Sequence, residues 1–255
     1  MKTYVVANQK GGIGKTTTAT ALASILRKKG YKTLLIDSDV QGNSTDTYEA
    51  KIEGEATLYD VLLDEDRIPL TDAIQHTEKG DIVASDPLLR RADEILHQDL
   101  EGVYRLQDAL DKLEGYDYVI IDTAPAVNSI LHNCLIAADE VIIPITADRY
   151  GIQGLAELNH TIATIQRRQN PKLKVAGLLL IRYNNRTLLG REVKDNLVDI
   201  AKQMNTQLFE TTIRESVKCR EAQAMRQTLI DYAPKSTTAI DYIAFTEELL
   251  ANEKE

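Results

Sequence analysis

Short apolar runs alternate with segments in which apolar residues recur at helical spacing along most of this chain. The runs that indicate strands are 4–7, 33–36, 81–84, 116–121, 140–145 and 175–181. Helical spacing predicts helices over 18–27, 57–63, 103–113, 128–137, 152–165 and 187–204. Strands that are apolar throughout and alternate with helices are typical of parallel sheets buried on both faces. The pattern therefore predicts a doubly wound α/β fold, with a mainly parallel β-sheet and helices on both faces.

Length and composition agree with one soluble globular unit. The 255 residues are 43% hydrophobic and 27% charged. No run approaches the roughly 20 apolar residues that a membrane-spanning helix needs. The first strand begins within a few residues of Met1, which leaves no room for a signal peptide. Because no repeat or Pro/Gly/Ser-rich linker divides the chain, we expect a single cytoplasmic domain over residues 1–255.

The net charge of −9 argues against a nucleic-acid partner, but the charge is unevenly distributed. Residues 43–120 carry 7 Lys and Arg against 20 Asp and Glu, a net of −13, whereas residues 180–235 carry 10 against 7, a net of +3. A basic patch can therefore exist within an acidic total. The two cysteines, Cys134 and Cys219, lack metal-site spacing, and we expect them to pack as small apolar residues in a reducing compartment.

A glycine-rich stretch at 8–17, Asn-Gln-Lys-Gly-Gly-Ile-Gly-Lys-Thr-Thr, lies between the first strand and the first helix. This is the context of a phosphate-binding loop. The glycines allow a tight turn that points backbone N–H groups at one place, and the helix adds its positive N-terminal end. Lys15 would reach the terminal phosphates, and the Thr16 hydroxyl would hold Mg²⁺. The alternative is a glycine-rich turn with incidental lysines.

Aspartates follow two of the strands. Asp37 and Asp39 come after the strand at 33–36, and Asp122 follows the strand at 116–121 in the manner of a Walker B motif. Parallel sheets bind ligands at the carboxyl ends of their strands, so we expect these carboxylates beside the loop, with Asp122 supporting Mg²⁺. Turn chemistry is the alternative for residues 37–43, because Asp, Ser, Gly and Asn all favour turns.

Basic residues recur near the C-terminus. A helix that runs through Arg226 would place Lys218, Ala222 and Arg226 on one face at i, i+4 spacing. Such a face can contact phosphates or simply remain solvated, and the spacing does not separate the two possibilities. Ser236 is expected to cap the last helix, which ends in acidic residues.

Several motifs together give the chain a specific resemblance that covers nearly the whole sequence. Lys-Gly-Gly-x-Gly-Lys-Thr-Thr at 10–17 resembles the deviant Walker A motif of the ParA/MinD ATPases, with Gln9 where an ordinary P-loop carries glycine. Three further motifs, at 35–43, 122–125 and 217–222, match the ParA-type partition ATPases. The chain is most similar to the short, Soj-like members of that family, because no helix-turn-helix extension precedes Met1. Val40 and Arg214 depart from the family, whose members often carry proline at both positions; residue 214 lies beside the nucleotide base in the family.

The resemblance implies a homodimeric ATPase that uses ATP and Mg²⁺. The residues that would bind the phosphates within one subunit are Gly11, Gly12, Ile13, Gly14, Lys15, Thr16 and Thr17. Lys10 would reach across the dimer to the partner's ATP, and Asp39 would orient or activate the attacking water. Asp37 would support the metal that Thr16 and Asp122 hold. The catalytic candidates are Lys10, Lys15 and Asp39. A second lysine that arrives only on dimerisation would couple assembly to hydrolysis.

The resemblance also implies a role in partitioning DNA. The ATP-bound dimer would bind double-stranded DNA of the nucleoid without sequence preference, and hydrolysis stimulated by a ParB-like partner would release it. Arg186, Lys218 and Arg220 are the candidate DNA contacts, and a dimer doubles each modest basic patch.

Three other functions compete with partitioning. A MinD-like positioning ATPase would bind membrane through a basic amphipathic C-terminal helix, but this C-terminus is acidic. A relative of the nitrogenase iron protein would need cysteines to hold a cluster, and Cys134 has no second cysteine at a suitable spacing. A non-enzymatic scaffold would leave both lysines and the three aspartates unexplained.

Overall fold

The computed structural model of the chain describes residues 1–63, 66–96, 98–183 and 188–253. In this part of the chain one sheet contains all the strands, in the order β3-β4-β2-β5-β1-β6-β7. All neighbours are parallel except β3, which runs antiparallel to β4. The strands are β1 (Lys2–Val6), β2 (Thr33–Asp37), β3 (Ile74–Thr77), β4 (Gly80–Val83), β5 (Tyr118–Asp122), β6 (Glu140–Thr146) and β7 (Lys174–Ile181).

Helices connect the strands and cover both faces of the sheet. They are α1 (Lys15–Lys28), α2 (Asn43–Thr47), α3 (Leu58–Leu62), α4 (Ala92–Leu96), α5 (Arg105–Leu110), α6 (Ser129–Ala137), α7 (Arg149–Arg168), α8 (Leu188–Gln203), α9 (Lys218–Ala224), α10 (Leu229–Tyr232) and α11 (Thr237–Asn252). Short 3₁₀ turns precede β3, α4 and α5. Among the described residues, no helix is long and apolar enough to cross a lipid bilayer.

Two apolar layers pack against the sheet, one on each face. Alternate residues of a strand point to opposite faces. Val5 of β1 therefore joins the layer that includes residues of α5 to α8, whereas Tyr4 and Val6 join the layer that includes α1 and α11. Strand β1 is buried from Thr3 onward, and β2 and β5 are buried throughout. These strands therefore need largely apolar side chains on both faces, and their sequences show no polar alternation.

Strands β1, β2 and β5 end at the same level of the sheet. The register pairs Val6 with Asp122 across β1 and β5, and Asp37 with Asp122 across β2 and β5. The loop that follows β1 and the carboxylates that end β2 and β5 are therefore neighbours at the carboxyl edge of the sheet.

The predicted fold class is confirmed, and the differences are local. The antiparallel edge strand β3 was not predicted, because its sequence Ile-Gln-His-Thr is only partly buried and shows no apolar run. The helix predicted over 103–113 is shorter, since a 3₁₀ turn at Gly102–Tyr104 precedes α5. Ser236 caps α11 as expected, accepting a hydrogen bond from the Ala239 N–H. Arg186 and residue 187, the first of the helix predicted over 187–204, lie outside the described residues.

The helix predicted to run through Arg226 is wrong. Helix α9 ends at Ala224, and Arg226 lies beyond it with a left-handed φ of 50°. Ala222 is only 1% exposed and faces the core. Lys218, Ala222 and Arg226 therefore do not form a solvent-facing stripe.

Candidate functional site

The loop between β1 and α1 has the geometry of an anion-binding turn. Gly12 and Gly14 have φ angles of 69° and 92°, which L-residues with side chains rarely adopt. A Cβ on Gly14 would also lie 3.3 Å from Ile181 Cδ1. Gly14 precedes α1, and no side chain of the described residues caps this helix. The N–H groups of its first turn therefore remain available to bind an anion, aided by the helix dipole.

Lys15 is buried directly below this loop. Its ammonium donates a hydrogen bond to the Lys10 carbonyl at 3.1 Å, and the residue is 6% exposed. Burial lowers the pKa of Lys15, while the negative charges of Asp122 and Asp39 oppose that shift. A phosphate in the loop would supply further compensating charge for this ammonium.

Asp37 and Asp122 are completely buried side by side. Asp37 Oδ2 accepts hydrogen bonds from the Thr45 N–H (2.7 Å) and the Thr45 hydroxyl (2.8 Å), and Oδ1 accepts one from the Asp39 N–H (3.1 Å). Asp122 Oδ2 accepts a hydrogen bond from Ser44 Oγ at 2.8 Å. Burial, together with the Asp122 charge, raises the pKa of Asp37 to about 8, and burial raises the pKa of Asp122 to about 6. A cation would relieve this repulsion.

The donor set fits Mg²⁺. Asp122 Oδ1 is buried and has no well-aligned hydrogen-bond donor in the described part of the chain, although the Thr16 hydroxyl lies near enough to hold the pKa of this carboxyl down. No group of three or more His, Cys, Asp or Glu among the described residues can hold a metal by itself. Mg²⁺ is usually bound by one or two carboxylates together with substrate phosphates, which is the arrangement that Asp122 and Thr16 permit.

Lys10 lies at the start of the loop and contacts the end of β6. Its ammonium is 2.7 Å from Asp148 Oδ2, 2.9 Å from Asp148 Oδ1 and 3.2 Å from Thr146 Oγ1. Asn8 anchors the same stretch, because its amide donates to the Pro144 carbonyl and accepts from the Lys10 N–H. Within one chain, Lys10 is thus paired with Asp148 and not with the buried aspartates around Lys15.

Hydroxyl residues that the sequence analysis missed hold the aspartates in place. Thr45 contacts Asp37 as described, and its Oγ1 also accepts a hydrogen bond from the Ser85 N–H at 2.8 Å. Ser85 Oγ donates to the Asp39 carbonyl at 2.5 Å. Ser44 and Thr45 follow Asp39 closely in sequence and could have been noticed for that reason. Ser85 carries no local signal, since only the sheet brings it to Asp39.

The basic residues near the C-terminus are partly engaged within the chain. Lys218 forms an ion pair with Glu221 at 2.7 Å and lies over the Tyr232 ring, and the hydrogen bond to Glu221 raises the pKa of Lys218. Arg220 is exposed. Arg226 pairs with Asp46 at 3.0 Å. Arg186, the third candidate DNA contact, lies outside the described residues.

Both cysteines are free thiols and neither belongs to the loop. Cys134 is fully buried in α6, where burial raises its pKa to about 12. Cys219 is partly buried in α9. This agrees with the expectation that they pack as small apolar residues.

A glycine-rich loop that leads from a central parallel strand into a helix, beside strand-end carboxylates, defines a P-loop nucleoside triphosphatase. A family model described as an AAA domain matches residues 1–175. The chromosome partitioning protein ParA of Caulobacter vibrioides is 33% identical over 261 residues, which cover 100% of this chain and 96% of that protein. The chain belongs to the ParA/Soj family of partitioning ATPases.

Solved structures agree with this assignment. The ATP complex of McdA from Cyanothece has a TM-score of 0.86 at 26% identity, covering 98% of this chain and 96% of that one. Cobyrinic acid a,c-diamide synthase from Mycobacterium smegmatis, with bound ADP and magnesium, has a TM-score of 0.85 at 30% identity, covering 100% of this chain and 96% of that one.

Proposed function

We propose that residues 1–255 act as a single ATPase domain that dimerises on ATP, binds DNA as a dimer and releases it on hydrolysis. The observation that carries the proposal is Lys10, a second loop lysine whose ammonium is bound to Asp148 and not to the carboxylates around Lys15. A loop that served one subunit alone would need only Lys15. Lys10 is explained if it binds a phosphate of the facing subunit.

Within one subunit, the loop residues 11–17 bind the phosphates through their N–H groups, and Lys15 neutralises the terminal oxygens. Thr16 and Asp122 would hold Mg²⁺, which would supply positive charge to balance the negative charge of the transferred phosphoryl group. Asp37 supports the metal site indirectly, since its carboxylate accepts hydrogen bonds from the Thr45 N–H, the Thr45 hydroxyl and the Asp39 N–H.

Asp39 is the residue that we assign to the attacking water. Its Oδ1 accepts a hydrogen bond from the Gln41 N–H at 3.0 Å, and Oδ2 is the oxygen that orients the water and receives its proton. Its backbone is held from two sides, by Asp37 Oδ1 and by Ser85 Oγ. A carboxylate fixed in this way is positioned before the substrate arrives, which lowers the cost of reaching the transition state.

Dimerisation brings the partner's Lys10 to each ATP and so makes hydrolysis depend on assembly. It also doubles the basic surface to which we assign Arg186, Lys218 and Arg220. Affinity for DNA rises steeply with the number of phosphates neutralised, so the pair binds DNA where one chain does not. The ATP-bound dimers associate with the nucleoid. A ParB-like partner stimulates ATP hydrolysis there, and the released protein returns to the cytoplasm as single chains.

The test is binding of a random-sequence DNA duplex, measured by fluorescence anisotropy with ATP, ADP or no nucleotide across a salt series. We expect binding with ATP and Mg²⁺ only. Six phosphate contacts per dimer predict a slope of log K against log salt of about −5. Equal binding in all three nucleotide states, or no binding in any, would contradict the proposal.

A further inference from the structure

A cavity of about 280 Å³ lies between α5 and the segment that connects α3 to β3. Residues 67–71 form one wall, and Arg105, Asp108 and Lys112, which follow one another at helical spacing along α5 and just beyond it, form the facing wall. The described residues that line the cavity include neither the phosphate-binding loop nor the aspartates that follow β2 and β5. The cavity is therefore separate from the nucleotide site.

Much of the cavity lining is apolar. Leu70 and Leu113 are buried, Val61 of α3 is 3% exposed, and the partly buried Ile68 and Ala109 pack against the same core. Water next to such side chains finds few hydrogen-bond partners, so an apolar group that displaces it gains free energy. Pockets for drug-sized ligands usually measure about 300–1,000 Å³, so this cavity suits a small molecule with an apolar part.

Three cations line the same cavity. Residues 43–120 contain 7 Lys and Arg against 20 Asp and Glu, and three of those seven, Arg67, Arg105 and Lys112, meet here. Within the described lining, Asp108 is the one carboxylate. The cavity is thus locally positive inside the acidic flank, and at short range local charges outweigh distant ones, because salt screens exposed charges beyond about 10 Å.

Two of the three cations remain available to a ligand. Arg105 serves the protein itself, since its Nε and Nη2 donate to Asp99 Oδ2 at 3.0 and 2.7 Å and its Nη1 donates to the Leu62 carbonyl. The hydrogen bond from Arg105 lowers the pKa of Asp99, and the charge of Arg67 adds to this shift. Arg67 and Lys112 are exposed, and among the described residues no ion pair or hydrogen bond engages either side chain.

We propose that this cavity is a second binding site, for a small ligand in which one apolar group is joined to one carboxylate. The apolar group packs against Leu70 and Leu113, and the carboxylate binds Arg67 and Lys112. A monoanion is preferred to a polyanion, because the surrounding acidic flank repels additional negative charge. A free alkyl carboxylate and the C-terminal residue of a polypeptide both present this chemistry. The inference does not depend on the proposed ATPase function.

The experiment measures binding of octanoate to the full chain by isothermal titration calorimetry, with Mg²⁺ and saturating ADP present. We expect one site with a Kd on the order of 1 mM, which is ordinary for so small a ligand. Acetate lacks the apolar group and octanol lacks the charge, so each should bind at least about tenfold more weakly. N-acetyl-leucine presents its carboxylate as the end of a polypeptide does. The tighter binder of octanoate and N-acetyl-leucine identifies the source of the ligand.

Substitutions in the lining test where the probe binds. Arg67→Gln and Lys112→Gln should each weaken octanoate binding at least about threefold, because each removes a charge that faces the carboxylate. Asp108→Asn removes the opposing charge and should tighten binding. Ala109→Leu fills the cavity and should abolish binding. Arg90→Gln is the matched control, because Arg90 is an exposed arginine of the same acidic flank that does not line the cavity.

Urea unfolding checks that each variant is folded before its affinity is compared. Absence of binding by both octanoate and N-acetyl-leucine, acetate binding as tightly as octanoate, or equal octanoate affinity in the natural protein, Lys112→Gln and Ala109→Leu would each overturn this inference. None of these results would affect the proposed function. Conversely, failure of ADP to bind would contradict the proposed function and leave the octanoate measurement intact.

Discussion

Lys10 and Asp148 form an ion pair, with Lys10 Nζ 2.7 Å from Asp148 Oδ2. Both side chains are partly exposed, at 31% and 41%, so the pair contributes only about 0–1 kcal/mol to stability. If Lys10 binds a phosphate of the facing subunit, as we propose, it must first leave Asp148, so the ion pair would restrain assembly. Thr146 Oγ1 donates to Asp148 Oδ2 at 2.7 Å and helps to hold the acceptor in place.

Asp148→Asn should release Lys10 and favour the dimer. An interaction of up to about 1 kcal/mol corresponds to a shift of up to about fivefold in the ATP concentration at which dimers form. Size-exclusion chromatography with light scattering would follow this midpoint. Glu140→Gln, which breaks the similar Lys2–Glu140 pair, is the control and should leave the midpoint unchanged. An unaltered midpoint in Asp148→Asn would show that the pair does not restrain Lys10.

Asp39→Ala should keep ATP binding and dimerisation but lose hydrolysis. General-base catalysis contributes typically about 10²–10⁴-fold, so the turnover rate should fall by at least about a hundredfold. Release of labelled phosphate measures the rate, and light scattering shows the trapped dimer. Asp46→Ala removes a carboxylate of α2 that is paired with Arg226 and should turn over normally. Ordinary turnover in Asp39→Ala would remove Asp39 from its assigned role.

Thr45→Val should lower the free energy of unfolding of the protein more than Thr47→Val does. The two threonines lie on α2 and are both buried, but among the described residues Thr47 Oγ1 bonds only the Asn43 carbonyl of its own helix, whereas Thr45 Oγ1 bonds Asp37 and Ser85. Losing bonds to a buried carboxyl costs about 1–3 kcal/mol. Urea unfolding would measure both variants, and Thr45→Ser should recover most of the loss. Equal effects of the two valine variants would contradict this role of Thr45.

The raised pKa of Asp37 predicts how the free energy of unfolding depends on pH. Its pKa is about 8 in the folded protein against 3.8 in an unfolded chain, so between these values the folded state holds a proton that the unfolded state has lost. Raising the pH through this window therefore reduces the free energy of unfolding, by at most about 1.4 kcal/mol per pH unit. Asp37→Asn should gain stability relative to the natural protein between pH 5 and pH 8. Urea unfolding of both proteins at pH 5 and pH 8, without nucleotide or Mg²⁺, would check this. A loss of stability in Asp37→Asn relative to the natural protein on going from pH 5 to pH 8 would contradict the prediction.

Lys218→Glu should weaken ATP-dependent DNA binding and reduce the magnitude of the salt slope. If each subunit neutralises one phosphate fewer, the slope changes by about 2 per dimer. Lys202→Glu is a matched control, because Lys202 also forms an i, i+3 pair with a carboxylate and lies in the same basic flank. DNA anisotropy would compare the two. Identical behaviour of both variants would exclude Lys218 from the DNA surface.

Much of the fold could be predicted because the central strands are apolar on both faces and contrast with the helices. The edge strand β3 could not, because its half-buried residues lack that contrast. The end of α9 was also missed: the sequence Ala-Met-Arg-Gln continues a helical pattern, and only Arg226 with its left-handed backbone ends it.

The loop and the three aspartates could be identified because the order of strand, glycines, lysine and threonine is local. The residues that orient them could not. Ser85 is 46 residues from Asp39, and Asp148 is 138 residues from Lys10, so only the folded sheet brings them together. Arg214 departs from the family pattern in the sequence itself, but its ion pair with Asp241, 27 residues further along the chain, depends on the fold.

The level ending of β1, β2 and β5 limits how this protein can change. One residue inserted in β2 would turn Asp37 to the opposite face and away from Asp122, since side chains alternate along a strand. Extra residues at the opposite edge of the sheet, where these three strands begin, would move none of the groups around the loop. Tags, hinges and domain insertions are therefore best placed at that opposite edge, and natural length variation should be concentrated there.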